Sequence, residues 1–136
     1  MNEIELVLPW PPSVNHYKKI GGIVQTKTGK LYQKRVNTNE TKMFYYQVWM
    51  RVKPRIPPEG FIFRNSEAMC LSLDVHLYPP SERRYDIDNR LKVLLDSLMH
   101  SKVIADDSQI HRLFVQKMDT IEGGQVIVKV SELVRS

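Results

Sequence analysis

The sequence predicts one α+β domain spanning residues 1–136, with a mixed β-sheet, a β-hairpin and two principal helices. Three observations carry this. Residues 69–78 alternate, with Leu71, Leu73, Val75 and Leu77 against Ser72, Asp74 and His76, as a half-buried strand requires. Two other stretches show helical apolar spacing, and the order strand, hairpin, helix, strand, helix, strand, strand leads to a mixed sheet with no separate second domain. A length of 136 residues with 42% hydrophobic content suits one core.

Each element has a local cause. Ile4-Glu5-Leu6-Val7-Leu8 reads as a first strand stopped by Pro9, and Trp10, Pro11 and Pro12 make a stiff non-helical segment after it. Between Gly21 and Lys34, two short runs flank Thr28-Gly29 and predict a basic, exposed hairpin. A helix is expected from about Asn39 to Val52, capped by Asn39, with Phe44, Val48, Met43 and Tyr45 inward and Pro54 ending it. Lys53 to Asn65, holding Pro54, Pro57, Pro58 and Gly60, is expected to be a loop. After the strand from Met69 to Tyr78, a second helix from about Asp88 to Met99 lines up Ile87, Leu91, Leu94, Leu95 and Leu98. His111 to Met118 and Gln125 to Val130 read as two strands joined across Gly123-Gly124.

No apolar run approaches the roughly 18 residues of a membrane span, and Met1-Asn2-Glu3-Ile4-Glu5 lacks the features of a signal peptide, so a cytoplasmic protein is expected. Cys70 is the only cysteine, which excludes an internal disulfide and a thiolate zinc site and reads as a buried structural thiol. The net charge of +5 is unevenly spread. Tyr17 to Arg55 holds ten Lys and Arg against one acid, Glu40, while Ile56 onward holds ten bases and twelve acids. That asymmetry fits a phosphate-gripping half joined to a metal-holding half.

Chemistry concentrates in Asp86-Ile87-Asp88-Asn89-Arg90-Leu91-Lys92 and in Asp106-Asp107. If Asp86 and Asp88 are extended, their carboxylates project to one side just before a helix, as half of a site for a hard cation. Lys92, four residues beyond Asp88, shares its helical face and can meet a phosphate. The plain alternative is an Asp serving as helix cap, with Asp106-Asp107-Ser108 a turn or cap. Magnesium suits a few carboxylates better than zinc, because no Cys set or H-x-x-x-H pair is present. His16, His76, His100 and His111 read as structural or surface residues.

Leu8-Pro9-Trp10-Pro11-Pro12-Ser13-Val14-Asn15, then Asp86-Ile87-Asp88-Asn89 with Lys92, then Asp106-Asp107, together resemble the RusA family of Holliday junction resolvases of bacteria and prophages, over nearly the whole chain. The resemblance implies a homodimeric, Mg²⁺-dependent endonuclease that cuts four-way junction DNA by paired symmetric nicks in recombination and repair. It further implies that Asp86, Asp88 and Asp107 bind the metal and that Lys92 is required for cleavage. Asn15 and Asn89 fall on motif positions assigned here to DNA contact, and Lys18, Lys19, Lys27, Lys30, Lys34 and Arg35 would grip phosphates on the arms. Val14 replaces an Asn often seen there, and Tyr85 stands where a basic residue often precedes the first Asp. The alternatives are a catalytically inactive branched-DNA-binding protein of the same fold, and a nuclease preferring other DNA structures.

Overall fold

The first strand, β1 (Glu3–Leu8), sends Ile4, Leu6 and Leu8 into the core and Glu3, Glu5 and Val7 outward, the period of two expected of a strand covered on one face. The computed structural model describes residues 3–13, 18–58, 60–63 and 69–133, with backbone alone at 18–24 and 32–37. The hairpin follows as β2 (Lys18–Gln25) and β3 (Leu31–Asn37), an antiparallel two-stranded sheet of its own. Its turn is closed by Gly29 N–H donating to Thr26 O at 2.9 Å, with Gly29 at φ +86°, a left-handed conformation that favours glycine.

Helix α1 (Asn39–Val52) has the expected bounds but a different cap: Thr38 Oγ1 accepts from Thr41 N–H at 3.2 Å, and Asn39 is the first helical residue. Phe44 and Val48 are buried as expected, whereas Met43 is 57% exposed. Tyr45 is half-buried and stacks on His100 with ring centroids 5.0 Å apart. The segment expected to be a loop begins as a 3₁₀ turn, Lys53–Arg55, and later sends Phe63 into the core at 1% exposure. There Phe63 N–H donates to Val103 O at 3.0 Å, and Phe63 bridges to Ile104.

Strand β4 (Leu71–Tyr78), helix α2 (Ile87–His100), β5 (Ile110–Lys117) and β6 (Gln125–Glu132) complete the domain. The four-stranded sheet has the order β1-β6-β4-β5, with β4 and β5 parallel and the other pairs antiparallel. A parallel pair needs a crossover, which α2 supplies. The last two strands therefore do not pair with each other: β4 lies between them, and the Gly123-Gly124 turn carries the chain across it. Inserted there, β6 hydrogen-bonds on both sides, to β1 and to β4.

Phe44, Val48 and Val52 of α1 and Val93, Leu94 and Leu98 of α2 join the inward residues of β1, β4 and β6 in one core. Ile87, Leu91 and Leu95 pack at its margin, and Cys70 is buried as expected. The sheet's two edges differ. On β1, Arg51 donates to Val7 O at 2.6 Å and Arg55 to Glu5 O at 2.9 Å. On β5, Leu113 and Phe114 stay 44% and 43% exposed, and among the described residues no side chain bonds a backbone carbonyl of residues 112–117. No helix among the described residues is long and apolar enough to cross a membrane.

Candidate active site

Asp86 is the last extended residue before α2 (φ −95°, ψ 138°), in the cap position, yet its carboxylate makes no capping bond to the helix backbone. Its Oδ2 instead accepts from Asn89 Nδ2 at 3.3 Å. Capping therefore does not account for this aspartate. Because α2 begins at Ile87, Asp88 lies in its first turn, and the alternation expected of an extended Asp86–Asp88 does not apply. Both carboxylates are exposed at the positive end of the helix dipole, and among the described residues neither has an ion pair.

Lys92 lies one turn further on and donates to Asp96 Oδ1 at 3.3 Å. An exposed pair at this spacing contributes only about 0.3–0.5 kcal/mol, so a phosphate can compete for the ammonium.

The two distant motifs meet here. Arg90 NH1 donates to Pro11 O at 2.7 Å, and its guanidinium lies 5.4 Å from the Trp10 ring centroid. Trp10 meets Tyr85 edge-on at 5.2 Å, while Lys117 Nζ sits 4.3 Å from the Tyr85 ring centroid and donates to Tyr85 O at 2.7 Å. Ser13, Arg84, Tyr85, Asp86, Asn89 and Arg90 line a cleft of about 360 Å³. Burial raises the Tyr85 hydroxyl's pKa, opposed by the Arg90 charge, and burial lowers that of Arg90, opposed by Glu40 and Tyr85. Trp10 and Arg90 stood inside the quoted motifs and Tyr85 was noted beside the first Asp, but none of them, nor Lys117, was assigned a role in the site.

Gly124 backs this cluster. At φ +70° its missing Cβ would stand 3.0 Å from both Trp10 Cβ and Pro80 Cδ. Gly124→Ala is expected to destabilise the fold by about 1–3 kcal/mol through left-handed strain and to loosen Trp10. Chemical denaturation followed by tryptophan fluorescence would detect both, and an unchanged midpoint would contradict this packing.

The second acidic pair divides its work. Asp106 caps the 3₁₀ turn Asp107–Gln109 through a capping box, its Oδ2 accepting from Ser108 Oγ at 2.7 Å. That hydroxyl is the main cause holding its carboxyl below the usual range. Gln109 Oε1 accepts from Ala105 and Asp106 N–H at 2.9 and 3.1 Å. Asp107 is exposed and opens the 3₁₀ turn that leads into β5 at Ile110. Asp86 belongs to the other end of that strand, because Lys117, the last residue of β5, holds the carbonyl of Tyr85. Eight strand residues put those ends roughly 23 Å apart. Among the described residues no three His, Cys, Asp or Glu side chains gather closely enough to hold one metal ion. Asp86 and Asn89 are thus brought together, Asp88 is one helical step away, and Asp107 stands apart.

Of the residues assigned to DNA, Lys27 and Lys30 are exposed around the hairpin turn. Lys18, Lys19, Lys34 and Arg35 lie on the strands of that hairpin, with side chains outside the described set, and Asn15 lies outside the described residues altogether.

A mixed sheet whose β4–α2 junction presents exposed carboxylates beside guanidinium groups offers what a hydrolase of phosphodiester bonds needs, and comparison with known proteins identifies that class as a nuclease. The chain belongs to the family described as Endodeoxyribonuclease RusA, whose model matches residues 9–131. Among its relatives, the crossover junction endodeoxyribonuclease rusA of Enterobacteria phage HK97 is 34% identical over 135 residues, covering 98% of each chain. The RusA enzyme of Escherichia coli K12 is 29% identical over 133 residues and that of Enterobacteria phage 82 is 27% identical over 135, each again covering 98% of both chains.

Proposed function

We propose that this endodeoxyribonuclease is a Mg²⁺-dependent homodimer that resolves four-way DNA junctions by paired symmetric nicks. The observation that carries the reading is the convergence of the proline segment and the Asp86 turn on one cleft, where Asp86 stands beside Arg84 and Arg90. Asp86, Asp88 and Asp107 offer hard, exposed oxygen donors with no ion pair among the described residues, the chemistry magnesium selects. They would hold the cation, which when bound polarises a phosphoryl oxygen and acidifies water. Asn89 orients Asp86 through its amide. Lys92 leaves Asp96 to neutralise charge on the phosphate under attack, and the basic hairpin holds the arms.

The separation of Asp107 from Asp86 supports a dimer in which each site draws on both copies. Among the described residues the β5 edge is the one left open, and two copies pairing antiparallel along it would bring the partner's Asp107 to the Lys117 end, where Asp86 and Asp88 lie. A two-fold dimer also presents two equal sites to opposing strands of a junction.

The test is cleavage of labelled four-way junction beside matched linear duplex, with Mg²⁺ or EDTA, together with Mn²⁺ titration. Symmetric nicks confined to the junction and lost in EDTA are expected; cutting of duplex at equal rate would refute junction selectivity. Mixing an Asp86→Asn/Asp88→Asn chain with an Asp107→Asn chain should restore one Mn²⁺ site and single nicks per mixed dimer. Acids acting within one chain would leave the mixture dead.

A further inference from the structure

The loop before Asp86 contains two buried polar atoms with no hydrogen-bond partner among the described residues, Tyr85 Oη and Arg90 Nε. Buried donors are almost always satisfied, and leaving one unpaired destabilises a protein, so each such atom in a native fold calls for a missing partner. Both atoms here can donate, and both belong to residues lining the cleft that holds Asp86. An acceptor entering the cleft is a partner both could take, and two donors on residues lining one small cleft suit the oxygens of an anion.

The remaining wall agrees. Arg84 is exposed and has no hydrogen bond or ion pair among the described residues, and Ser13 lines the same cleft. Arg83 lines the adjoining cleft with Trp10, Arg84, Tyr85 and Arg90. The cations stand close together in a half of the chain whose overall balance is acidic, so composition gave no sign of them. Asp86, the one acid in the lining, already accepts a bond from Asn89. A guanidinium offers donors in a fixed fork that matches phosphate, and Arg90 is held in place by Trp10 and Pro11 rather than left to find its position.

We propose that Tyr85 Oη and Arg90 Nε, with Arg84 and Ser13, form a cradle for one backbone phosphate of the strand being cut, next to the bond that breaks at Asp86. The inference rests on the nuclease reading and deepens it: the hairpin lysines hold the arms at a distance, while this cradle sets which phosphodiester lies against the carboxylates. Tyr85 and Arg90 are binding and positioning residues here, and bond cleavage belongs to the acids.

Tyr85→Phe separates this role from a structural one. It removes the hydroxyl and keeps the ring that Trp10 and Lys117 contact. Junction affinity measured in EDTA, where binding is read without cutting, should fall about tenfold, the weight of one hydrogen bond to a charged group, while the melting temperature holds or rises because a buried unpaired donor is gone. Arg84→Gln should reduce the slope of log affinity against log salt by about 0.9, the loss of one phosphate contact. Arg90→Lys, which keeps the charge and removes the fork, should weaken binding as Tyr85→Phe does. Wild-type junction affinity in both Tyr85→Phe and Arg84→Gln would overturn the cradle and leave the nuclease reading standing. A lower melting temperature with unchanged affinity in Tyr85→Phe would overturn it too, marking the hydroxyl as a packing group. Tight junction binding by the wild type without cutting in Mg²⁺ would sink the nuclease reading instead, and loss of binding in the variants would then still support a phosphate seat.

Discussion

Asp88→Asn should slow junction nicking by about 10³-fold with the fold intact. The side chain is exposed in the first turn of α2, has no hydrogen bond or ion pair among the described residues, and its amide replacement is nearly the same shape, so little is lost in folding. What is lost is a charged oxygen donor, and removing the cation's help to the transition state costs several kcal/mol, each 1.36 kcal/mol being tenfold in rate. Junction affinity should hold or tighten, because one negative charge leaves a surface that meets DNA. Single-turnover cleavage in Mg²⁺ alongside binding in EDTA would separate the two effects. A variant that nicks at the parental rate would remove Asp88 from the site.

Phe63→Ala should lower the unfolding free energy by about 3–5 kcal/mol, a large share of the 5–15 kcal/mol typical of a domain. Phe63 is among the largest fully buried side chains, although it follows a proline-rich segment, and its backbone joins that segment to the turn after α2. Emptying it would leave a void bordered by rigid neighbours. A fall in the urea midpoint with an unchanged slope would confirm a cooperative loss; a loss below about 1 kcal/mol would show that this segment opens independently of the core.

That prediction also marks where sequence reasoning stopped. Pro54, Pro57, Pro58 and Gly60 correctly exclude regular structure, yet irregular backbone can still plug a core, and one buried aromatic has no periodicity to announce it. Helix α1 was legible to the residue because Pro54 and the Phe44–Val48 spacing bound it, while the cap shifted from Asn39 to Thr38 because both can accept a bond and only local backbone geometry decides between them. Met43 is exposed because the margin of an amphipathic stripe is set by what packs there, here Tyr45 against His100. The order of β4, β5 and β6 was hidden for another reason: pairing partners depend on crossover geometry, and a short turn at Gly123-Gly124 looks alike whether or not its strands are adjacent.

At the site, the acids were readable because carboxylates two residues apart are unusual beside a helix start. The contacts among Trp10, Tyr85 and Arg90 were not, since they join positions about 75–80 residues apart and leave no mark in either segment alone. The resemblance assigned Asp107 and not Asp106 to the metal; the Ser108 hydroxyl and the Gln109 amide place Asp106 in the turn and leave Asp107 at the surface.

The strand order carries a consequence for synthesis. Within the sheet β1, the earliest described strand, hydrogen-bonds to β6 alone, and β6 follows every other described strand. A chain growing on the ribosome can therefore form its hairpin, its helices and the β4–β5 pair, but it cannot seat β1 until residues 125–132 have emerged. A product that ends before β6 leaves both β1 and one side of β4 without their strand partner, so the sheet and the turn that holds Asp86 close only when the last strand is in place.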